Sequence, residues 1–565
     1  MCAGLHCCSS SPLQIKHDSL SPPISPIYPT PFTAPKNELM LAPATTTPEA
    51  KGLSTVHSLE DIYDINVLPA QKSRYDALSL AFEKKFKQKP KLFARSPGRV
   101  NLIGEHIDYS GYSVLPMAID SDIVIAVAVA ADSDPCRFKV DISNIDESTY
   151  PDQYIDVLLD QPIFINSAIH EWSNYFKCGC KGALENSNHD GLKSMMVMIS
   201  GTIPAGAGLS SSSALVCASV IATLAIQGIN KPKDDLVQIA IRSERYAGVH
   251  TGGMDQSISI MGQQGNILMI HFYPTLSISP VRVPTLPVPA VFVIANTLVT
   301  ADKHVTAPRN YNLRVVETRI AAALLAKKLE IHFSGDRLSL RHLQDLYFSK
   351  NDLVKGEISQ LDDLIHLVHQ HIKPEPYTLE DISQELGIST EEARKTFIGE
   401  LIIYDADGFD LYKRTLHVFS EARRVYMFWD TCAHASKEPG RMLQDLGRLM
   451  NESQDSCRDY FKCSCPEIDK LTAICRDSGA FGSRLTGAGW GGCTVSLVKE
   501  SQVAAFIEKV KNEYYFSKWP LWKSDAIAAK EMSKYIFACK PACGAALVSN
   551  PFSVLALNPA ETING

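Results

Sequence analysis

Pro204-Ala205-Gly206-Ala207-Gly208-Leu209-Ser210-Ser211-Ser212-Ser213 runs straight into Ala214-Leu215-Val216-Cys217-Ala218, the start of an apolar helical pattern that continues to Ile226. Glycine lets a backbone come close to another group, and serine adds hydroxyls and an N-cap. The first turn of a helix presents free N–H groups at the positive end of its dipole. The stretch therefore reads as a cradle for an anion such as a phosphate. It has no Gly-Lys-Ser/Thr and is not a Walker A loop, and a Gly/Ser-rich turn ahead of a helix also occurs without any ligand.

Working outward, Pro97-Gly98-Arg99-Val100-Asn101-Leu102-Ile103-Gly104-Glu105-His106-Ile107-Asp108-Tyr109 breaks an apolar strand into a loop holding one cation, two carboxylates and an imidazole. Such a set donates to and accepts from several hydroxyls at once. A sugar demands that, because each buried hydroxyl left unpaired costs about 1–3 kcal/mol. A solvated turn after a strand is the equal alternative. On the other side, Ser243-Glu244-Arg245-Tyr246-Ala247-Gly248-Val249-His250-Thr251-Gly252-Gly253-Met254-Asp255-Gln256 ends a helix in a glycine loop that presents Asp255. A carboxylate there can take the proton of a hydroxyl as its oxygen attacks phosphorus. Glu244, on the preceding helix, reads either as a metal ligand or as an ordinary surface glutamate. Leu485-Thr486-Gly487-Ala488-Gly489-Trp490-Gly491-Gly492-Cys493-Thr494 is dense enough in glycine to require close backbone packing against a ligand or another loop, or a tight hairpin.

The rest of the chain bounds the function class. Its 565 residues, 45% hydrophobic, suffice for more than one core. Residues 1–57, with prolines at 22, 23, 26, 29, 31 and 35, are too polar to bury a core and read as a disordered extension. Alternating strand-like and helix-like runs then define an α/β domain over 58–288. A helix-rich α+β domain follows over 289–548, with a helical insertion at about 335–415, and a flexible tail closes the chain at 549–565. The longest apolar run, near Ile123 to Ala131, is about half of a membrane span, and no secretory leader precedes it, so a cytoplasmic address is expected. Fifteen cysteines should stay reduced there, and their spacing fits no structural zinc site. A net charge of −7 offers no general field for nucleic acid or anionic lipid. An anionic ligand must then be held by backbone amides, a metal and a few placed cations.

In their order and separations, the first, second and fourth of these segments along the chain resemble the three signature motifs of the GHMP kinase superfamily. Gly104-Glu105-His106-x-Asp108-Tyr109 is the form particular to its galactokinase branch. The similarity spans residues 60 to about 545. Ser210–Cys217, Ser243–Gly248, Met254–Ser259 and Ser456–Leu497 look closest to N-acetylgalactosamine kinase, whereas Ala307–Arg314 is more similar to fungal and plant galactokinases. The resemblance implies a two-domain fold, α/β plus α+β, with the active site in the cleft between domains. It implies transfer of the γ-phosphoryl of ATP, with Mg2+, to the anomeric hydroxyl of galactose or N-acetylgalactosamine by a monomeric enzyme. Carried over residue by residue, it places Arg99, Glu105, His106, Asp108, Gly252, Asp255 and Tyr311 around the sugar, with Asp255 as base and Arg99 beside it. Gly206, Gly208, Ser210 and Ser211 would line the phosphates, Asp302 and Lys303 would contact the nucleotide, and Ser212 and Glu244 would hold the metal. Asp302 stands where several relatives have Asn.

Two rival readings remain. Some relatives on this fold are galactose- and ATP-binding transcriptional regulators that grip a protein partner; those without catalysis lack residues in the serine loop, which is complete here, so an active enzyme is expected and a regulatory partner stays open as a second role. Residues 378–397 mimic a DNA-reading helix-turn-helix, but its second helix would open on Glu391 and Glu392, the wrong charge for phosphates.

Overall fold

The structure, a computed structural model, describes residues 52–53 and 55–549 apart from 132–133, 135, 167–168, 170, 186–190, 249–250, 283–288, 301–308, 335–337, 406 and 435–438. One sheet has the spatial order β1 (Thr55–Val56), β13 (Ala546–Val548), β2 (Leu92–Asn101), β3 (Pro116–Val129), β6 (Met195–Gly201), β4 (Arg137–Asn144), β5 (Gln153–Leu158). The pairs β1–β13 and β4–β6 are parallel and the others antiparallel. Strand β3 shows why it is buried on both faces. Val124, Ala126 and Ala128 pack with Tyr75, Leu78 and Phe82 of α1 (Leu68–Phe86), while Ile123, Ile125 and Val127 point into the main core on the other side. That second face is covered by α2 (Ser173–Leu184), α3 (Ser211–Gln227), α4 (Lys233–Glu244) and α5 (Met254–Met261). Helix α3 is buried nearly all round, as its uninterrupted apolar pattern requires.

A hairpin of β7 (Asn266–His271) and β8 (Ser277–Arg282) leads to a second, fully antiparallel sheet. Its order is β10 (Gly482–Leu485), β11 (Cys493–Lys499), β9 (Ala290–Asn296), β12 (Ile536–Cys539). Between β9 and β10 the chain is helical, notably over Tyr311–Lys328, Glu357–His371, Leu411–Ala433 and Pro439–Ser456. Among the described residues, no helix is long and apolar enough to cross a membrane.

Three details depart from the sequence expectations. The chain joins the first sheet at Thr55–Val56, inside the stretch read as an extension. Its end leaves the second sheet after Cys539 and pairs Ala546–Val548 with Phe93–Arg95 of β2, so the last strand belongs with the first half. The helix-turn-helix-like segment forms a capped helix at Leu379–Leu386, but its second helix keeps α-geometry only over Thr390–Ala393, opening on Glu391 and Glu392, and continues as a π-turn over Arg394–Ile398. Lys327 and Lys328 of the neighbouring long helix bind Leu386 O and Glu385 at 2.7 and 2.9 Å, which makes the segment a packing element.

The return of the chain is fixed by a buried charge cluster. Asp122 on β3, fully buried, accepts from Arg95 Nε at 2.7 Å, Arg74 Nη1 at 2.5 Å and Tyr63 Oη at 2.6 Å. Arg95 also donates to the carbonyls of Cys543 at 2.7 Å and Gly544 at 2.9 Å. Burial alone would raise the Asp122 carboxyl, but the two guanidiniums hold it below the usual range. Removing the carboxylate leaves two buried cations uncompensated. Asp122→Ala is expected to destabilise the protein by about 3–5 kcal/mol in urea unfolding.

Candidate active site

The site begins at a β-bulge. Pairing between β2 and β3 shifts register between Pro97 and Arg99, which turns the end of β2 toward the serine loop. Gly98 makes the approach possible, since a Cβ there would lie 2.7 Å from Leu209 O. Arg99 N donates to that same carbonyl at 3.2 Å. The Arg99 side chain, 2% exposed, then joins two segments: Nε meets Asp255 Oδ1 at 2.7 Å and Nη1 donates to Gly208 O at 2.7 Å. The glycine-rich 487–492 turn packs on the other side of the serine loop. A Cβ at Gly487 would come within 2.5 Å of Gly208 O, and one at Gly492 within 2.8 Å of Ala207 O, so its glycines serve contact with another loop.

These contacts enclose a pocket lined by Arg99, Glu105, His106, Asp108, Thr251, Met254, Asp255, Tyr311, Gly487 and Ala488. Six residues expected around a sugar are thus brought together, and the seventh, Gly252, forms the wall behind Asp108: a Cβ there would sit 2.3 Å from Asp108 Oδ2. Glu105 is buried, with Oε1 accepting from Gly487 N at 2.5 Å and Oε2 from Asn101 Nδ2. Burial lifts its carboxyl to about 7 against the opposing pull of Arg484, Arg99 and these hydrogen bonds. Burial, reinforced by the nearby Asp255, lifts Asp108 to about 6. His106 sits in the left-handed region at φ 61°, fixed by Ala488 O at 2.8 Å from Nε2 and Tyr109 Oη at 3.1 Å from Nδ1. Tyr311, the first residue of its helix, packs its ring 5.6 Å from that imidazole.

The serine loop ends in α3 without the expected side-chain cap. Ser210 occupies the N-cap position at φ 62°, yet its buried hydroxyl makes no cap bond and has no hydrogen-bond partner among the described residues. Gly206 and Gly208 also have positive φ, 66° and 73°, which curls the backbone and leaves the helix N-terminal amides unblocked beside Ser211 and Ser212. Glu244, 1% exposed, is no surface glutamate: its Oε2 accepts from Ser213 Oγ at 2.8 Å and from Gln256 Nε2. The serine whose hydroxyl meets Glu244 is Ser213, the neighbour of the expected Ser212, and a buried carboxylate beside a serine hydroxyl is an oxygen donor set that suits Mg2+, an ion that takes one or two protein oxygens and fills its other positions with water and phosphate. Asp302 and Lys303 lie outside the described residues.

Sequence reading missed the supports behind this pocket. His417 Nε2 donates to Glu105 O at 3.0 Å, with Nδ1 accepting from Ser456 Oγ at 2.9 Å, and Arg484 Nη1 lies 3.5 Å from Glu105 Oε2. Neither stands in a motif. The one available signal was an arginine two residues ahead of Thr486 and the 487–492 turn.

Comparison with known proteins identifies the family. The model described as the galactokinase galactose-binding signature matches residues 80–129, that of the GHMP kinases N terminal domain 174–263, and that of the GHMP kinases C terminal 435–515. The galactokinase of Dictyostelium discoideum is 41% identical over 515 residues, covering 88% of this chain and 98% of the relative. That of Saccharomyces cerevisiae is 38% identical over 496 residues, covering 81% and 92%. The crystal structure of Lactococcus lactis galactokinase complexed with galactose superimposes with a TM-score of 0.58 at 23% identity, covering 84% and 99%, a likeness of fold.

His417 gives the site a measurable pH signature. Burial pushes its imidazole down to about 4 from an ordinary 6.5. Between those values the unfolded chain binds a proton that the native protein refuses, so this residue lowers stability as pH falls through that window. Urea unfolding followed from pH 7 to 4 should show a shallower loss of stability for His417→Gln than for the parent protein.

Proposed function

Because the chain belongs to the galactokinase family of the GHMP kinases and is a sugar kinase, we propose that it transfers the γ-phosphoryl group of ATP to the anomeric hydroxyl of galactose, yielding galactose 1-phosphate and ADP. One observation carries the reading: a single guanidinium, Arg99, touches both the pocket carboxylate Asp255 and the carbonyl of Gly208 in the serine loop. The proton acceptor and the phosphate cradle are therefore fixed on one another, as a reaction that is mostly positioning requires.

In this reading galactose lies between Glu105, His106, Asp108 and Tyr311, which accept from and donate to its ring hydroxyls. Asp255 takes the proton of the anomeric hydroxyl as its oxygen attacks phosphorus, and Arg99 favours the ionised carboxylate and offsets charge on the attacking oxygen. Gly206, Gly208, Ser210 and Ser211 hold the phosphates through backbone amides and hydroxyls, with Asp302 and Lys303 as nucleotide contacts. Ser212 and Glu244 would hold Mg2+, which supplies neutralising charge to the phosphate oxygens. A monomeric, cytoplasmic enzyme goes with this reading. N-acetylgalactosamine is the second substrate to consider, on the likeness of the Ser210–Cys217 and Ser456–Leu497 stretches to its kinase.

Steady-state kinetics with ATP and galactose, N-acetylgalactosamine or glucose test the proposal, and galactose is expected to give the highest kcat/KM. Asp255→Asn should lower kcat by about 10²–10⁴-fold while galactose still binds in calorimetry. Near-normal turnover in that variant, or no ATP consumption by the parent protein with any of the three sugars, would refute it.

A further inference from the structure

Arg484 projects from β10, the edge strand of the second sheet, and is 0% exposed. It sits between two buried carboxylates on different elements: Nη1 is 3.5 Å from Glu105 Oε2, and Nη2 is 3.8 Å from Glu421 Oε1. Nη1 also donates to Asn101 O at 3.3 Å. Glu421, on the helix Leu411–Ala433, reaches the same loop by another route, since its Oε1 accepts from Gly104 N at 2.9 Å and from Ser453 Oγ at 2.6 Å. Its Oε2 is balanced by Arg424 at 2.8 Å. The helix therefore grips the backbone of Gly104, while Arg484 faces the side chain of the next residue.

Charge decides what this arrangement does. A guanidinium stays protonated even when buried, so Arg484 is a permanent cation. Glu421 already has Arg424, and Arg99 is engaged by Asp255, so among the described residues Arg484 is the cation within ion-pair range of Glu105. Other titratable or charged groups near Glu105 and Arg484 are Arg99, His106, Asp108 and Asp255 in the pocket, Cys457 and Cys463 around the 457–461 turn, and His417, which meets the Glu105 backbone. A buried carboxyl deprived of its cation takes up a proton, and its hydrogen bonding toward a hydroxyl ligand changes with it.

We propose that Arg484, anchored on Glu421, is a positioning residue for sugar recognition that fixes the Glu105 side chain and favours its charged form where it faces the pocket. This rests on the reading of Glu105 as a sugar contact. Arg484 does not touch the reacting atoms, so it governs KM for the sugar more than kcat.

Three variants test it through the pH dependence of kcat/KM for galactose, alongside melting temperatures. Arg484→Gln should raise KM for galactose by at least about tenfold, with kcat within about threefold, and should move the acid limb of the profile to higher pH. Arg484→Lys should bring that limb back toward the parent position. Glu421→Gln removes the carboxylate that anchors Arg484 and should move the limb in the same direction as Arg484→Gln, to higher pH. A purely structural role would lower activity without displacing the limb. A folded Arg484→Gln enzyme with KM within about twofold of the parent and an unmoved limb overturns the proposal; should that variant fail to fold, an unmoved limb in Glu421→Gln does so. Glu105→Gln separates the two readings: if it binds galactose as the parent does, Glu105 is no sugar contact, and the reading beneath the proposal fails on its own.

Discussion

Arg99 carries two obligations that no other residue in the site shares. Its Nε holds Asp255 and its Nη1 holds Gly208 O, each at 2.7 Å, with the guanidinium almost wholly out of water. A hydrogen bond to a charged group contributes about 1.5–3 kcal/mol and is demanding of geometry, so this pair of bonds sets the distance between Asp255 and the serine loop. The bulge at Pro97–Arg99 and the missing side chain of Gly98 make that double contact possible. A misplacement of about 1 Å can cost a phosphoryl transfer 10²-fold, which explains why so much covalent and packing detail converges on one strand end.

The pocket beyond Arg99 pairs acids with burial. Glu105 near 7 and Asp108 near 6 lie well above their ordinary ranges because water is excluded before any ligand supplies hydrogen bonds. An arriving hydroxyl donates to the ionised form and so favours it. Support comes from the second half of the chain, through Gly487, His417 and Arg484, whereas the carboxylates come from the first. The pocket is thereby assembled from residues more than 300 positions apart in the chain.

What the sequence made legible was local. The glycine and serine runs named the loops, and strands and helices around them followed from period-two and period-3.6 patterns, while the meeting of Arg99, Glu105, His106, Asp108, Asp255 and Tyr311 in one pocket matches what the family resemblance implied. Hidden were contacts that no period encodes. Arg484, His417 and Glu421 lie outside the motif runs among ordinary helix and strand residues, and only the packing of helix Leu411–Ala433 against the Gly104–Glu105 turn gives them meaning. The serine at the start of α3 was read as a cap because serine usually caps; its left-handed backbone turns the hydroxyl away from that task. The strand at Ala546–Val548 escaped because three residues carry too little alternation to be read.

That short strand bears on how the protein is made. Arg95 finds two of its carbonyl partners 448 and 449 positions further along the chain, and the edge of β2 at Phe93–Arg95 has its neighbour only there. At about 5–20 residues per second, a ribosome needs roughly 20–90 s between delivering β2 and delivering its partner. Throughout that interval the strand that carries Arg99 has an unpaired edge, the kind of surface on which nascent chains associate and chaperones act.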